Sequence, residues 1–118
     1  MIWMKLNKEL VKGSTAMLVL SVLEKQDMYG YQIIKTVALL SDDVFSMNEG
    51  TLYPILHALE KNGDLSAYWS DADAGTRRRR YYAITVQGRK VLAEQKQQWE
   101  TYAAAVGKVL GGASLVGA

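Results

Sequence analysis

Residues 65–85 read LSAYWSDADAGTRRRRYYAIT, and the change of texture across this stretch decides the fold. Leu65 to Trp69 and Arg79 to Thr85 are short and rich in aromatic and branched side chains, a composition of strands rather than helices. Between them, Asp71-Ala72-Asp73-Ala74-Gly75-Thr76 has the small and acidic residues of a loop. The pattern predicts a β-hairpin with a longer loop. Arg77, Arg78, Arg79 and Arg80 follow that loop directly. Along an extended strand, Arg78 and Arg80 project to one side and Arg77 and Arg79 to the other. Adjacent like charges repel, so an anionic partner is the simplest compensation. Duplex DNA supplies one negative charge per roughly 1.7 Å of axis, and guanidinium groups also suit a narrow minor groove.

Working outward toward the N-terminus, the periodicity becomes helical. From Lys8 to Glu24, Leu10, Ala16, Met17, Leu20 and Leu23 predict a helix whose second half is apolar nearly all round and therefore largely buried. Gly30 to Leu40 carries Ile33, Ile34, Val37 and Leu40, again at helical spacing. A third helix begins near Ser46 to Asn48, where Ser46-Met47-Asn48-Glu49 matches a capping box and Asn48 is an alternative N-cap. Its Leu52, Ile55, Leu56 and Leu59 form one face, and Asn62-Gly63 is a C-terminal stop. Toward the C-terminus, Thr85 is suited to cap a long helix from Val86 to about Leu110, roughly 37 Å at 1.5 Å per residue. Three helices, a hairpin and a long helix make a mainly α fold with a small β-hairpin. That order is a winged helix-turn-helix plus a C-terminal dimerisation helix. The expected division is a DNA-binding domain over 1–85 and a dimerisation helix with a loose tail over 86–118.

On the third helix, Gly50, Pro54, His57 and Lys61 lie opposite the apolar face, with Thr51 and Tyr53 on the flanks. Such a face ordinarily meets bulk water. As the second helix of a helix-turn-helix it enters the major groove, N-terminal residues first. Gly50 then permits close approach, Thr51, Tyr53 and His57 bond to phosphates or base edges, and Lys61 adds charge. Tyr29 and Lys35 complete the candidate DNA contacts. Pro54, which lacks an N–H, is expected to distort the helix start.

The last helix carries Gly88, Val91, Leu92, Gln95, Trp99, Tyr102, Ala103, Val106, Val109 and Leu110 within a stripe of roughly 120°. A second copy of the chain is the simplest cover for it. Leu92, Trp99, Tyr102, Val106, Val109 and Leu110 are the candidate dimer interface, and two-fold pairing presents two recognition helices to a palindromic operator. Trp99 reads either as a dimer-core tryptophan or as the floor of a pocket for a small planar hydrophobic effector. Leu10, Met17, Gln95 and Ala103 would be its neighbours in that pocket.

Composition removes other classes. At 118 residues with 49% apolar content, the chain fits one domain. Cysteine is absent, which excludes disulfides, thiolate metal sites and thiol nucleophiles. The apolar run Ala16 to Leu20, resuming at Val22 and Leu23, falls short of the roughly 20 residues that span a bilayer. Met1-Ile2-Trp3-Met4-Lys5 lacks the features of a secretory signal, so a soluble cytoplasmic protein is expected. The net charge of +2 is segregated: residues 38–76 carry one basic and seven acidic side chains, residues 77–118 eight and two. His57 is the single histidine, without HExxH, P-loop or GxGxxG, and Asp42-Asp43 and Asp71/Asp73 lack the full calcium-loop pattern. No enzyme, cofactor or metal is expected. The competing class is a winged-helix protein-interaction module without specific DNA binding, for which the acidic middle segment is the best argument.

Several stretches resemble the PadR family of bacterial transcriptional regulators. They are Lys12-Gly13-Ser14, Tyr29-Gly30-Tyr31-Gln32-Ile33, Glu49 through Leu56, Leu59-Glu60-Lys61-Asn62-Gly63, Gly75 through Tyr82, and Ile84-Thr85 with Gly88. The resemblance implies a winged-helix DNA-binding domain, a C-terminal dimerisation helix and usually repression of nearby genes. With one long helix after the wing, the chain is similar to the short-tailed branch. Some members of that branch sense aromatic or multidrug compounds at the dimer interface, and Trp99 matches their interface tryptophan. The implied function is a sequence-specific repressor released by a small effector. Two positions depart from the family pattern: Ala58, where a basic residue is frequent, and Asp64, where an apolar one is. Together with Glu49 and Glu60 they are expected to leave the recognition helix poor in positive charge, so that attraction leans on the wing.

Overall fold

Helices dominate the computed structural model, which describes residues 14–71 and 77–111. In chain order the elements are α1 (Thr15–Leu23), β1 (Met28–Tyr29), α2 (Gly30–Leu40), α3 (Glu49–Lys61), β2 (Leu65–Trp69), β3 (Arg80–Ile84) and α4 (Val86–Val109). The predicted start of the first helix, with Leu10, lies outside the described residues, as does the wing loop over 72–76.

The apolar faces converge on one core. Val19, Leu20 and Leu23 of α1, Ile33 and Val37 of α2, and Leu52, Leu56 and Leu59 of α3 are all buried there. Each such side chain contributes about 1.5–3 kcal/mol relative to exposure. Asn48 caps α3, its side chain accepting the Thr51 N–H at 2.9 Å. Ser46 therefore lies outside the helix, and of the two alternatives Asn48 is the cap. Pro54 sits within α3, which runs on past it to Lys61. Asn62 and Gly63, the latter at φ +86°, end the helix.

The sheet has three antiparallel strands in the order β1-β3-β2, where the sequence predicted a two-stranded hairpin. Met28 pairs with Tyr82 and Tyr29 with Tyr81, on the edge of β3 opposite β2. Two residues carry no readable period, so only their tertiary neighbour makes them a strand. On the other edge Leu65 faces Ile84, Ala67 faces Tyr82 and Trp69 faces Arg80. Alternation sends Met28, Leu65 and Tyr82 into the core and leaves Tyr29, Tyr68 and Tyr81 on the opposite face.

Thr85 caps α4, accepting the Gly88 N–H at 2.9 Å. Among the described residues, α4 packs chiefly on α1 and β3. Leu92, expected at a dimer interface, is 0% exposed in the single chain and belongs to the core. Beyond Gln95 the stripe opens, with Trp99 51% and Val109 86% exposed.

Candidate nucleic-acid interface

The period-two geometry of the wing and the exposed face of α3 meet at an open basin of about 640 Å³. Its walls come from the start of α2 (Tyr29, Gly30, Tyr31), from α3 (Glu49, Tyr53, His57) and from the sheet and wing (Trp69, Tyr82 and Arg77 to Arg80). Seven of the residues singled out from sequence thus come together: Tyr29, Tyr53, His57 and the four arginines. Gly50 and Thr51 are exposed on the first turn of α3 but do not line the basin, and Lys61 is exposed on its last turn. Lys35 is exposed on α2, its Nζ 5.5 Å from the Tyr31 ring centre.

Trp69, Tyr31, Tyr82, Gly30 and Glu49 line the basin without being among the candidate contacts of the sequence. For Trp69 a signal existed. It stands four residues after Leu65, hence on the same side of the strand, and opposite Arg80. Tyr53 is held by close contact with the neighbouring helix: a Cβ on residue 30 would lie 2.6 Å from its hydroxyl oxygen. Glycine at position 30 is what lets α3 seat this side chain against the start of α2. The Tyr53 and His57 rings lie 6.3 Å apart between centres.

The four arginines have different surroundings. Arg77 is exposed. Arg78 donates from Nε to the Ser70 carbonyl at 3.2 Å, with its guanidinium 5.8 Å from the Trp69 ring centre. Arg79 donates its N–H to Ser70 Oγ at 2.9 Å and carries its guanidinium 4.5 Å from the Tyr29 ring centre. Arg80 donates from Nη2 to Glu60 Oε2 at 3.1 Å and lies 5.6 Å from the Trp69 ring centre. Arg78 and Arg80 therefore share one side, in agreement with strand alternation.

The expected acidity of the recognition helix is corrected in two places. Glu60 is offset by Arg80. Asp64 is buried and accepts from Gln87 Nε2 at 2.9 Å, so it faces the joint between α3 and α4 rather than the groove. Glu49 does line the basin.

Across the outer face of the sheet the Tyr29 and Tyr81 rings meet edge to face at 5.4 Å, and Tyr81 stacks on Tyr68 at 5.7 Å. Tyr68 donates its hydroxyl hydrogen to Asp27 Oδ2 at 2.6 Å, and this bond to a carboxylate raises the phenol's pKa above its ordinary value. Burial raises that of Tyr82, an effect the adjacent Arg80 opposes.

At the other candidate site, Met17 is half-buried against the core and Ala103 is exposed. Gln95 Oε1 is buried without a hydrogen-bond partner among the described residues. The Trp99 ring lies 6.2 Å from that of Tyr102, and Tyr102, Val106, Val109 and Leu110 are exposed. Among the described residues, no group of three or more His, Cys, Asp or Glu is placed to hold a metal, and no helix is long and apolar enough to cross a membrane.

Comparison with known proteins gives the same fold. The family model described as the transcriptional regulator PadR-like family matches residues 19–94. A transcriptional regulator of Mycobacterium tuberculosis is 40% identical over 75 residues, covering 64% of this chain and 65% of that protein. The structure of a Clostridium thermocellum transcriptional regulator superposes with a TM-score of 0.79 at 33% identity, over 86% of this chain and 97% of the other. A PadR family transcriptional regulator from Eggerthella lenta gives 0.74 at 38% identity, over 86% of each.

Proposed function

The chain belongs to the PadR-like family of transcriptional regulators, and on that premise we propose that it is a homodimeric repressor that binds a palindromic DNA operator. Members of the family regulate transcription by binding DNA and are not enzymes. The observation that carries the finer reading is the convergence of Tyr53, His57 and the wing arginines on one concave face. In this reading α3 enters the major groove through Gly50, Thr51, Tyr53 and His57. The adjacent phosphate strand passes over the basin, between that helix and Arg77 to Arg79. Lys35 and Lys61 add charge at the margins. Residues 1–85 form the DNA-binding unit and the exposed end of α4 joins two copies. The protein acts in the cytoplasm.

A second element of the proposal is release by a small planar effector at the α4 interface. It is favoured by Gln95 Oε1, buried and without a hydrogen-bond partner among the described residues, about one helical turn before the half-exposed Trp99. A polar atom in that state gains from a ligand donor.

Salt titration of duplex binding tests the main reading. Each lost phosphate contact lowers the slope of log affinity against log salt by about 0.9. Arg77→Gln with Arg79→Gln is therefore expected to weaken binding to all duplexes and flatten that slope. Unchanged affinity and slope would sink the wing as a phosphate grip, and no duplex binding at all by the parent protein would favour a protein-interaction module.

A further inference from the structure

We infer that Arg80 is a positioning residue: through Glu60 it fixes the wing against the recognition helix, and it does not itself grip a phosphate. The inference rests on the DNA-binding reading above and divides the arginine run within it. Arg80 opens β3 and Glu60 is the penultimate residue of α3, so their 3.1 Å contact ties the wing directly to the end of the helix. The side chains are 39% and 33% exposed, half withdrawn from water. Trp69, cross-strand partner of Arg80, lies beside its guanidinium at 5.6 Å and holds it in place from the wing side.

Electrostatics separates this arginine from its neighbours. At separations large compared with the 3.1 Å between them, the charges of Arg80 and Glu60 largely cancel toward a phosphate. Drawing Arg80 away onto DNA would leave that carboxylate uncompensated beside a polyanion. Among the described residues no carboxylate is paired with Arg77, Arg78 or Arg79. Arg79 instead lies over the neutral Tyr29 ring, which leaves its charge available to an anion. Helix and wing address different parts of a duplex, so the angle between them governs fit to a selected sequence more than general attraction.

The experiment uses the full-length protein with Glu60→Gln, Arg80→Gln, Arg80→Lys and the charge-swapped pair Glu60→Arg with Arg80→Glu. Affinity is measured against salt for a duplex that the parent protein selects from a random pool and for an unselected mixed-sequence duplex. Each glutamine variant is expected to lower the selected-to-unselected ratio by about tenfold, a coupling in the range found for paired side chains. In Arg80→Gln the salt slope on the unselected duplex should not fall. Arg80→Lys and the swapped pair should recover most of the ratio. A slope that falls by about 0.9 in Arg80→Gln, the mark of a lost phosphate contact, overturns the inference. In Glu60→Gln, which leaves Arg80 without its carboxylate, the slope should hold or rise, and a slope that falls overturns the inference equally. Amide hydrogen exchange without DNA keeps the two proposals apart. Exchange in β3 should quicken in both glutamine variants and slow again in the swapped pair, whether or not the parent protein binds any duplex. Exchange unaltered in the variants rejects the strut even where DNA binding is intact.

Discussion

Tyr68 and Asp27 stand 41 positions apart in the chain, and their hydrogen bond at 2.6 Å tethers β2 to the segment leading into β1. Because the phenol donates to a carboxylate, its pKa is raised from the ordinary value of about 10. A raised pKa means that the bond's stabilisation is fully present below the unfolded-state value and is lost as pH rises through the folded-state value. Spectrophotometric titration should find one tyrosine ionising later in the parent protein than in Asp27→Asn, and Tyr68→Phe should remove that late component. Coincident titration curves for the parent and Asp27→Asn would show that the bond is absent in solution. Neither this pairing nor that of Glu60 with Arg80 was legible in the sequence, because each joins residues whose proximity depends on how separate elements pack. The identity of the arginines was plain. Their division into paired and unpaired was not.

At the scale of elements, α2, α3 and α4 were legible because each carries several turns of apolar period, and α3 and α4 also carry a cap or stop of known chemistry. Asn48 and Thr85 cap α3 and α4 through the side-chain bonds that such residues favour. The α3–α4 joint was invisible by comparison. Thr85 Oγ1 donates to the Gly63 carbonyl at 2.7 Å, and Gln87 Nε2 donates to the Asn62 carbonyl at 2.7 Å as well as to Asp64. A Cβ at residue 88 would collide with the Asp64 carbonyl oxygen, a backbone atom that cannot swing aside. Gly88→Ala is therefore expected to lower stability by about 1–2 kcal/mol, the overpacking cost exceeding the helix-propensity gain of alanine. Thermal melting checks it, and an unchanged or higher midpoint would mean that the joint yields. The same bonds join the start of α4 to the end of α3.

For the whole molecule, the unfinished feature is α4, 24 residues and about 36 Å long, with Trp99, Tyr102, Val109 and Leu110 exposed. If a second copy covers this stripe, Tyr102→Asp with Val109→Asp should yield a monomer in sedimentation with weakened duplex binding. In a background where Trp99 is the only tryptophan, a planar aromatic cation should quench its emission in the dimer and not in that monomer. A parent protein that sediments as a monomer at working concentration would refute the pairing. The sequence by itself determined the order of the helices and the hairpin, the caps of α3 and α4 and the basic wing, since these depend on local period, local hydrogen bonding and simple count of charge. Tertiary structure alone decided that Met28 and Tyr29 form a third strand, that Leu92 belongs to the core rather than to the exposed stripe, and that Arg80 is answered by Glu60. Each of those depends on a neighbour distant in the chain, and packing rather than composition brings the two together.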